Sequence, residues 1–244
     1  GPWRGAEIYL NYGFGFHSND ARGATIRVDP KSGEAVARVQ PLVRSEGLDL
    51  GLRFEPIPHW RSTLSLFALD LDSELVFVGD AGGTEAGRPS RRTGFEWANF
   101  WQPHPKLAFD ADVTLSRGRF RDQDAVGDHI PGAIEQSVAA GVSVGPLGKW
   151  SGSVRLRHFG ARDLTEDGSV RSPATNLINA RLAFSLGGGL DLAAEGFNVF
   201  DAQASDIDYF YASRLPGESS EGVEDRHFHP SEPRSIRLRL EWRF

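Results

Sequence analysis

Apolar and polar residues alternate one by one along most of this chain. Near its end, Ile236, Leu238, Leu240, Trp242 and Phe244 share one parity, while Ser235, Arg237, Arg239, Glu241 and Arg243 share the other. Successive side chains of a strand point to opposite faces, so this segment predicts a strand with one apolar face and one charged face. Leu107, Phe109, Ala111, Val113 and Leu115 oppose Ala108, Asp110, Asp112, Thr114 and Ser116 in the same manner. Leu48, Leu50, Leu52 and Phe54 oppose Asp49, Gly51, Arg53 and Glu55, and Ile8, Leu10, Tyr12 and Phe14 again share a parity. The pattern predicts ten strands, over 7–15, 47–55, 63–77, 92–101, 107–117, 134–144, 150–159, 174–186, 190–200 and 234–244. Within 63–77 the parity slips around Ala68, which predicts a β-bulge. Alternating segments of about ten residues divided by turn residues point to an all-β, antiparallel transmembrane β-barrel.

The connections alternate in length. Short ones are Pro56-Ile57-Pro58-His59, Pro103-His104-Pro105-Lys106, Pro146-Leu147-Gly148-Lys149 and Gly187-Gly188-Gly189; those over 17–41, 78–91, 121–131, 160–173 and 201–233 are long. Membrane barrels have short periplasmic turns and long extracellular loops. Placing Phe244 at the periplasmic end sends every long loop outward and every short turn inward. Trp3, Trp60, Trp101, Trp150 and Trp242 then fall at or beside the periplasmic ends, with Trp97 close by. That is the interfacial girdle expected of amphipathic aromatics. Trp242 and Phe244 also form an aromatic terminus on an alternating strand, the expected signal for membrane assembly.

Composition narrows the picture in three places. The 244 residues contain no Cys, which excludes a disulfide scaffold or a thiolate metal site. A net charge of −6 argues against a nucleic-acid partner. No stretch approaches the roughly 20 apolar residues a membrane helix needs, which leaves strands as the route across a bilayer.

The inward parity is polar on almost every strand: Asp49, Arg53 and Glu55; Asp110 and Asp112; Arg155 and Arg157; Asn179 and Arg181; then the arginines of the terminal strand. Charges of both signs suit a lumen filled with water or with a polar plug, because a dry interior would strip their hydration. Their simplest role is to pair across strands. The candidate ligand-binding residues lie in the outer loops: His17, Asp20 and Arg22 in the first, and Asp208, Tyr209, Tyr211, Arg214, His227 and His229 in the last. Aromatic and Arg side chains beside carboxylates make a recognition surface. His227 and His229, two apart, would point the same way in a strand, as metal ligands must, but no further ligand stands beside them and no metal is assigned. The loop is expected rather to fold over the barrel rim, with Tyr209, Phe210 and Tyr211 packed under it.

At these residues the chain resembles a known family. Tyr9-Leu10-Asn11-Tyr12-Gly13-Phe14-Gly15-Phe16-His17-Ser18-Asn19-Asp20 is similar to a mid-barrel strand and loop of TonB-dependent outer-membrane receptors. Leu69-Asp70-Leu71-Asp72-Ser73-Glu74-Leu75-Val76-Phe77, Ile130-Pro131-Gly132-Ala133 and Asn198-Val199-Phe200-Asp201 resemble stretches further along that barrel. The last of these, followed by a loop and a strand ending in Phe244, is the most specific. The resemblance implies that residues 1–244 are the C-terminal portion of a barrel of about 22 strands, with the plug and earlier strands lying outside this chain. It further implies bacterial outer-membrane localisation, no enzymatic activity, and TonB-energised uptake of a scarce solute, ferric siderophores foremost. No cofactor is implied. The implied partners are outer-membrane lipid, the barrel-assembly machinery, TonB through the N-terminal part, and a small-molecule cargo such as a metal chelate. Two alternatives remain open. A complete ten-stranded barrel enzyme of protease type would use Asp and His at the rim, for which His17 with Asp20, Asp128 with His129, or Asp225 with His227 are available. A passive porin would need only an open lumen.

Overall fold

The computed structural model describes residues 5–18, 24–28, 33–35, 40–73, 76–78, 83–85, 87–220 and 222–244. Ten strands form one antiparallel sheet, each paired to the next along the chain. They are β1 (Ala6–Ser18), β2 (Leu42–Phe54), β3 (Trp60–Leu71), β6 (Ser90–His104), β7 (Leu107–Phe120), β8 (Gln136–Leu147), β9 (Trp150–Phe159), β10 (Thr175–Gly187), β11 (Leu190–Phe197) and β14 (Ser235–Trp242). Two hairpins interrupt this meander, β4 (Val76–Val78) with β5 (Gly83–Glu85), and β12 (Ser205–Ser213) with β13 (Val223–Pro230). β1 and β14 are the sheet's two edges.

Register carries the one-residue alternation across the whole sheet. Leu10 lies opposite Leu50, Leu50 opposite Leu66, Leu66 opposite Phe95, and Phe95 opposite Leu115. Val142, Val154, Ala180, Gly196 and Ile236 continue the apolar face across the next five strands. This face is open rather than packed: Ile236, Leu238 and Leu240 are 76%, 73% and 65% exposed. A water-facing sheet could not sustain such a surface, whereas lipid requires it. Asp110, Asp112, Arg237, Arg239 and Glu241 share the opposite face, as the alternation predicts. No helix among the described residues is long and apolar enough to cross a membrane, which has no bearing on crossing by strands.

β1, β2, β6 and β7 run longer than the sequence pattern indicates, whereas β11 and β14 are shorter. β6 has 15 residues and β7 has 14, against the roughly 9–11 that span a bilayer. Their outer ends continue above the hydrocarbon, where the outward face turns ionic. Asp70 accepts two hydrogen bonds from Arg91, at 2.6 and 2.7 Å, and Tyr12 donates to Glu46 at 2.7 Å.

The bulge expected around Ala68 does not form. β3 keeps unbroken register with both neighbours from Ser62 to Leu71. Phe67 and Leu69 simply face inward, and the Phe67 ring lies over Gly94, where an added Cβ would approach its Cζ to 2.5 Å. An apolar residue on the lumen wall mimics a parity slip when a glycine opposite gives it somewhere to pack. Register shifts occur instead beside short turns, between Trp101 and His104, Val144 and Leu147, and Ser185 and Gly187. β3 also ends at Leu71, short of the expected Phe77.

All the described tryptophans hold outward positions towards the short-turn end. Trp60 and Trp101 lie 6.3 Å apart, and Trp101 stacks on Phe109 at 5.5 Å. Behind this belt Ser62 is almost wholly buried, accepting from Trp97 Nε1 and donating to Asn99, which also accepts from Trp60 Nε1. The polar ends of the indoles are thus satisfied while their carbon surface faces the bilayer. Trp3 lies outside the described residues.

Candidate functional site

The outer rim is held together by ion pairs, with Arg162–Asp208 buried among them. Pro173 precedes β10, and Thr175 at its start donates to the carbonyl of Ser205 at 2.9 Å, bringing the last long loop back over the sheet. Within that loop β12 and β13 form a hairpin that the alternation of the main strands did not reveal. Asp208 faces the rim and receives Arg162 at 2.6 Å, Arg226 at 3.4 Å and the hydroxyl of Ser205 at 2.7 Å. Arg162 also donates to the carbonyl of Asp206 at 3.2 Å. Further along, Arg88 bridges Asp122 at 2.7 Å and Glu166 at 2.6 Å, while its guanidinium lies 4.4 Å from the Phe120 ring centroid. His129 Nδ1 meets Asp163 at 2.6 Å, and Arg171 joins Asp163 at 2.9 Å. These pairs tie four long loops into one platform.

The sequence motif Asn198-Val199-Phe200-Asp201 has a physical role here. Asn198 is buried with φ of 45°, and Asp201 has φ of 55°, a region these two residue types tolerate best after glycine. The Asn198 side chain accepts from Ala202 N–H and donates to the carbonyls of Ala202 and Glu232, while its own N–H donates to Asn179 Oδ1. Asp201 accepts from the N–H of Arg234 at 2.9 Å. The motif therefore closes the loop at its root and delivers the chain into β14.

The candidate residues separate by face of the hairpin. Tyr209 lies opposite His227 and Ile207 opposite His229, so these share a face with Tyr211. Tyr211 and His227 stack at 3.9 Å with planes 16° apart. Asp208, on the other face, belongs to the rim clamp. Arg214 sits at the hairpin's tip, where its Nε donates to the Glu218 carbonyl at 3.4 Å. His17 stands at the outer end of β1, its ring 3.2 Å from the Ser73 carbonyl. Asp20 and Arg22 lie outside the described residues. Among the described residues no group of three or more His, Asp or Glu could hold a metal ion. Phe244 is fully exposed beyond β14, 5.8 Å from Trp242, both at the short-turn end.

On the lumen wall the charges pair across strands. Asp110 receives Arg155 in a two-pronged contact at 3.0 Å per arm. Glu195 is shared by Arg181 at 3.6 Å and by Arg237 and Arg239 at 4.0 Å each. Arg243 reaches Asp191, and also Glu241 at 3.7 Å. Three arginines around one carboxylate leave this sector of the wall electropositive.

Two loop carboxyls titrate below the ordinary carboxylate range. Asp122 is lowered by the hydrogen bond and charge of Arg88. Asp167 is held to about 2 by the Thr165 hydroxyl and by the Ser169 N–H and hydroxyl, all donating into a tight turn. The rim platform depends on such ionised acids.

Comparison with known proteins matches this geometry. A family model described as TonB dependent receptor-like, beta-barrel matches residues 3–199. No curated protein sequence is similar enough to match. The fold is shared with the ferric yersiniabactin uptake receptor FyuA from Yersinia pestis, at 14% identity and a TM-score of 0.74, covering 100% of this chain and 36% of that one. It is shared with the ferric citrate transporter FecA at 17% identity and 0.70, covering 100% of this chain and 37% of that one. The copper transporter OprC follows at 15% identity and 0.69, covering 97% of this chain and 37% of that one. The chain thus spans little more than a third of the length of these proteins.

Proposed function

The chain belongs to the TonB-dependent receptor β-barrel family, a family of bacterial outer-membrane transport receptors, and we propose that it contributes the C-terminal wall and outer rim of a receptor importing a ferric siderophore. TonB would energise that uptake through an N-terminal part beyond this chain, and the barrel-assembly machinery would read the Trp242–Phe244 terminus.

The observation that carries the reading is the hairpin of β12 and β13. It presents Tyr209, Tyr211, His227 and His229 on one face, while the other face is clamped to the rim through Asp208. Rigid aromatic groups on a fixed support lose little freedom on meeting a ligand. Beneath them the lumen wall is lined by the arginines around Glu195, which suits an anionic chelate in passage. FyuA and FecA, by their names, handle ferric chelates, whereas OprC handles copper, so the fold alone does not choose the metal.

The experiment is growth of a strain deleted for the encoding gene on a panel of ferric siderophores, with copper and cobalamin as parallel sources. The reading expects loss of growth on one ferric siderophore, restored by the full-length gene. Normal growth on every ferric siderophore, with a defect on cobalamin or copper, would reject it.

A further inference from the structure

The outward face is uneven. Over β1, β2 and β3 its midsection is filled by large side chains such as Leu10, Leu50 and Leu66. Over β9, β10 and β11 several equivalent positions shrink to Gly152, Ala180, Ala194 and Gly196, beside the larger Val154 and Leu182. Val142, Val144, Leu147 and Trp150 rise on one side and Ile236 on the other, leaving an apolar groove of about 510 Å³ on the bilayer-facing surface. Two of the small residues have local reasons to be glycine: a Cβ at Gly152 would meet the Arg181 carbonyl at 2.8 Å, and one at Gly196 would meet Val199 at 2.9 Å. Ala180 and Ala194 line the groove with them. Larger side chains there would fill the groove and bury more apolar surface.

The groove opens at the short-turn end beside an unusual concentration of lysine. The sequence has 24 arginines and only Lys31, Lys106 and Lys149 as lysines. Lys106 and Lys149 occupy two neighbouring short turns, linked where Gly145 N–H donates to the Lys106 carbonyl at 2.9 Å. Lys149 Nζ lies 5.8 Å from the Phe184 ring centroid, and Phe184 packs on Trp150 at 4.7 Å, so this ammonium sits on the outward face at the groove's mouth. Neither lysine forms an ion pair among the described residues. An ammonium is a compact cation whose flexible stem reaches from apolar surface to the aqueous boundary.

We propose that this groove is a binding site for one anionic phospholipid of the periplasmic-side leaflet. One acyl chain lies over Ala180 and Ala194, and the phosphate meets Lys149 with Lys106 beside it. The alternation of small and large side chains specifies the chain position, and the two lysines select the negative headgroup. The inference rests on the membrane placement of the barrel and is independent of the cargo.

The test is native mass spectrometry of the full-length receptor from nanodiscs of equal phosphatidylglycerol and phosphatidylcholine. The wild type should retain one phosphatidylglycerol with at least tenfold preference. Lys106→Gln with Lys149→Gln should abolish that preference. Ala180→Leu with Ala194→Leu should lower retention of either lipid about tenfold, while unchanged heat-modifiable gel migration reports an intact barrel. If the alanine variant fails to fold, the lysine variant still decides, because loss of headgroup preference has no other source. Equal retention of both lipids by the wild type, retention of lipopolysaccharide or a second protein copy instead, or unchanged preference in the lysine variant would overturn the proposal.

Discussion

Arg162 and Asp208, 46 residues apart in sequence, meet at 2.6 Å with side chains 7% and 0% exposed. Burying two charges is costly, and the pair is supported by Arg226, Ser205 and the Asp206 carbonyl, although Arg162 Nε stays buried without a hydrogen-bond partner. Asp208→Asn leaves Arg162 enclosed without a counter-charge. Removing one partner of such a pair typically costs about 3–5 kcal/mol. Hydrogen exchange should accelerate in β12 and β13 while the amides of β7 stay protected. Unchanged exchange in the hairpin would show that the clamp does not hold it.

Recognition and rim structure make opposite demands on the hairpin's other face. Tyr211→Ala and Arg214→Ala should weaken cargo binding, Tyr211 the more, by roughly tenfold or greater, as for a shielded aromatic anchor. Surface abundance should stay normal. A fall in abundance or heat stability with intact affinity would assign both residues to packing instead.

The lipid and lumen faces of one strand offer an internal control. Val113 faces outward and Thr114 inward on β7. Val113→Arg should cost about 2–4 kcal/mol in a folding titration into lipid vesicles, and Thr114→Arg far less. Equal costs would contradict the assignment of faces.

Deleting Phe244 removes the aromatic terminus without touching the rim or the lumen pairs. Surface abundance should fall severalfold, while the molecules that do insert bind cargo with normal affinity. Equal abundance of deleted and intact protein would dismiss the terminus as an assembly signal.

Acid should loosen the loop platform from its turns inward. A carboxyl whose folded pKa is depressed contributes stability above its unfolded value and loses it as pH falls through the folded value. For Asp167 that window runs from about 4 down to about 2. Its carboxyl resonance should titrate near 2, and Thr165→Ala should move the midpoint upward. A midpoint near 4 in the unaltered protein would show that the turn's hydrogen bonds do not form. Asp122 should likewise titrate below the usual carboxylate range, and Arg88→Ala should raise it.

Strand identity, the two faces and the direction of the sheet were legible in the sequence, because a lipid-exposed strand must write its environment as strict alternation. Leu107 to Leu115 reads the same on paper and in register. Loop lengths and tryptophan positions then oriented the sheet, since each depends on local chain and interface chemistry alone. The resemblance in Asn198-Val199-Phe200-Asp201 was visible as well, but not its work as a buried knot that joins Asn179, Ala202 and Glu232. Partners 46 residues apart leave no periodic trace, so the Arg162–Asp208 clamp and the hairpin it anchors needed the tertiary structure. Phe67 shows the limit in the other direction: the expected bulge was a lumen-facing aromatic resting over Gly94. Alternation reports which medium each side chain meets; only the folded chain decides which side chains meet each other.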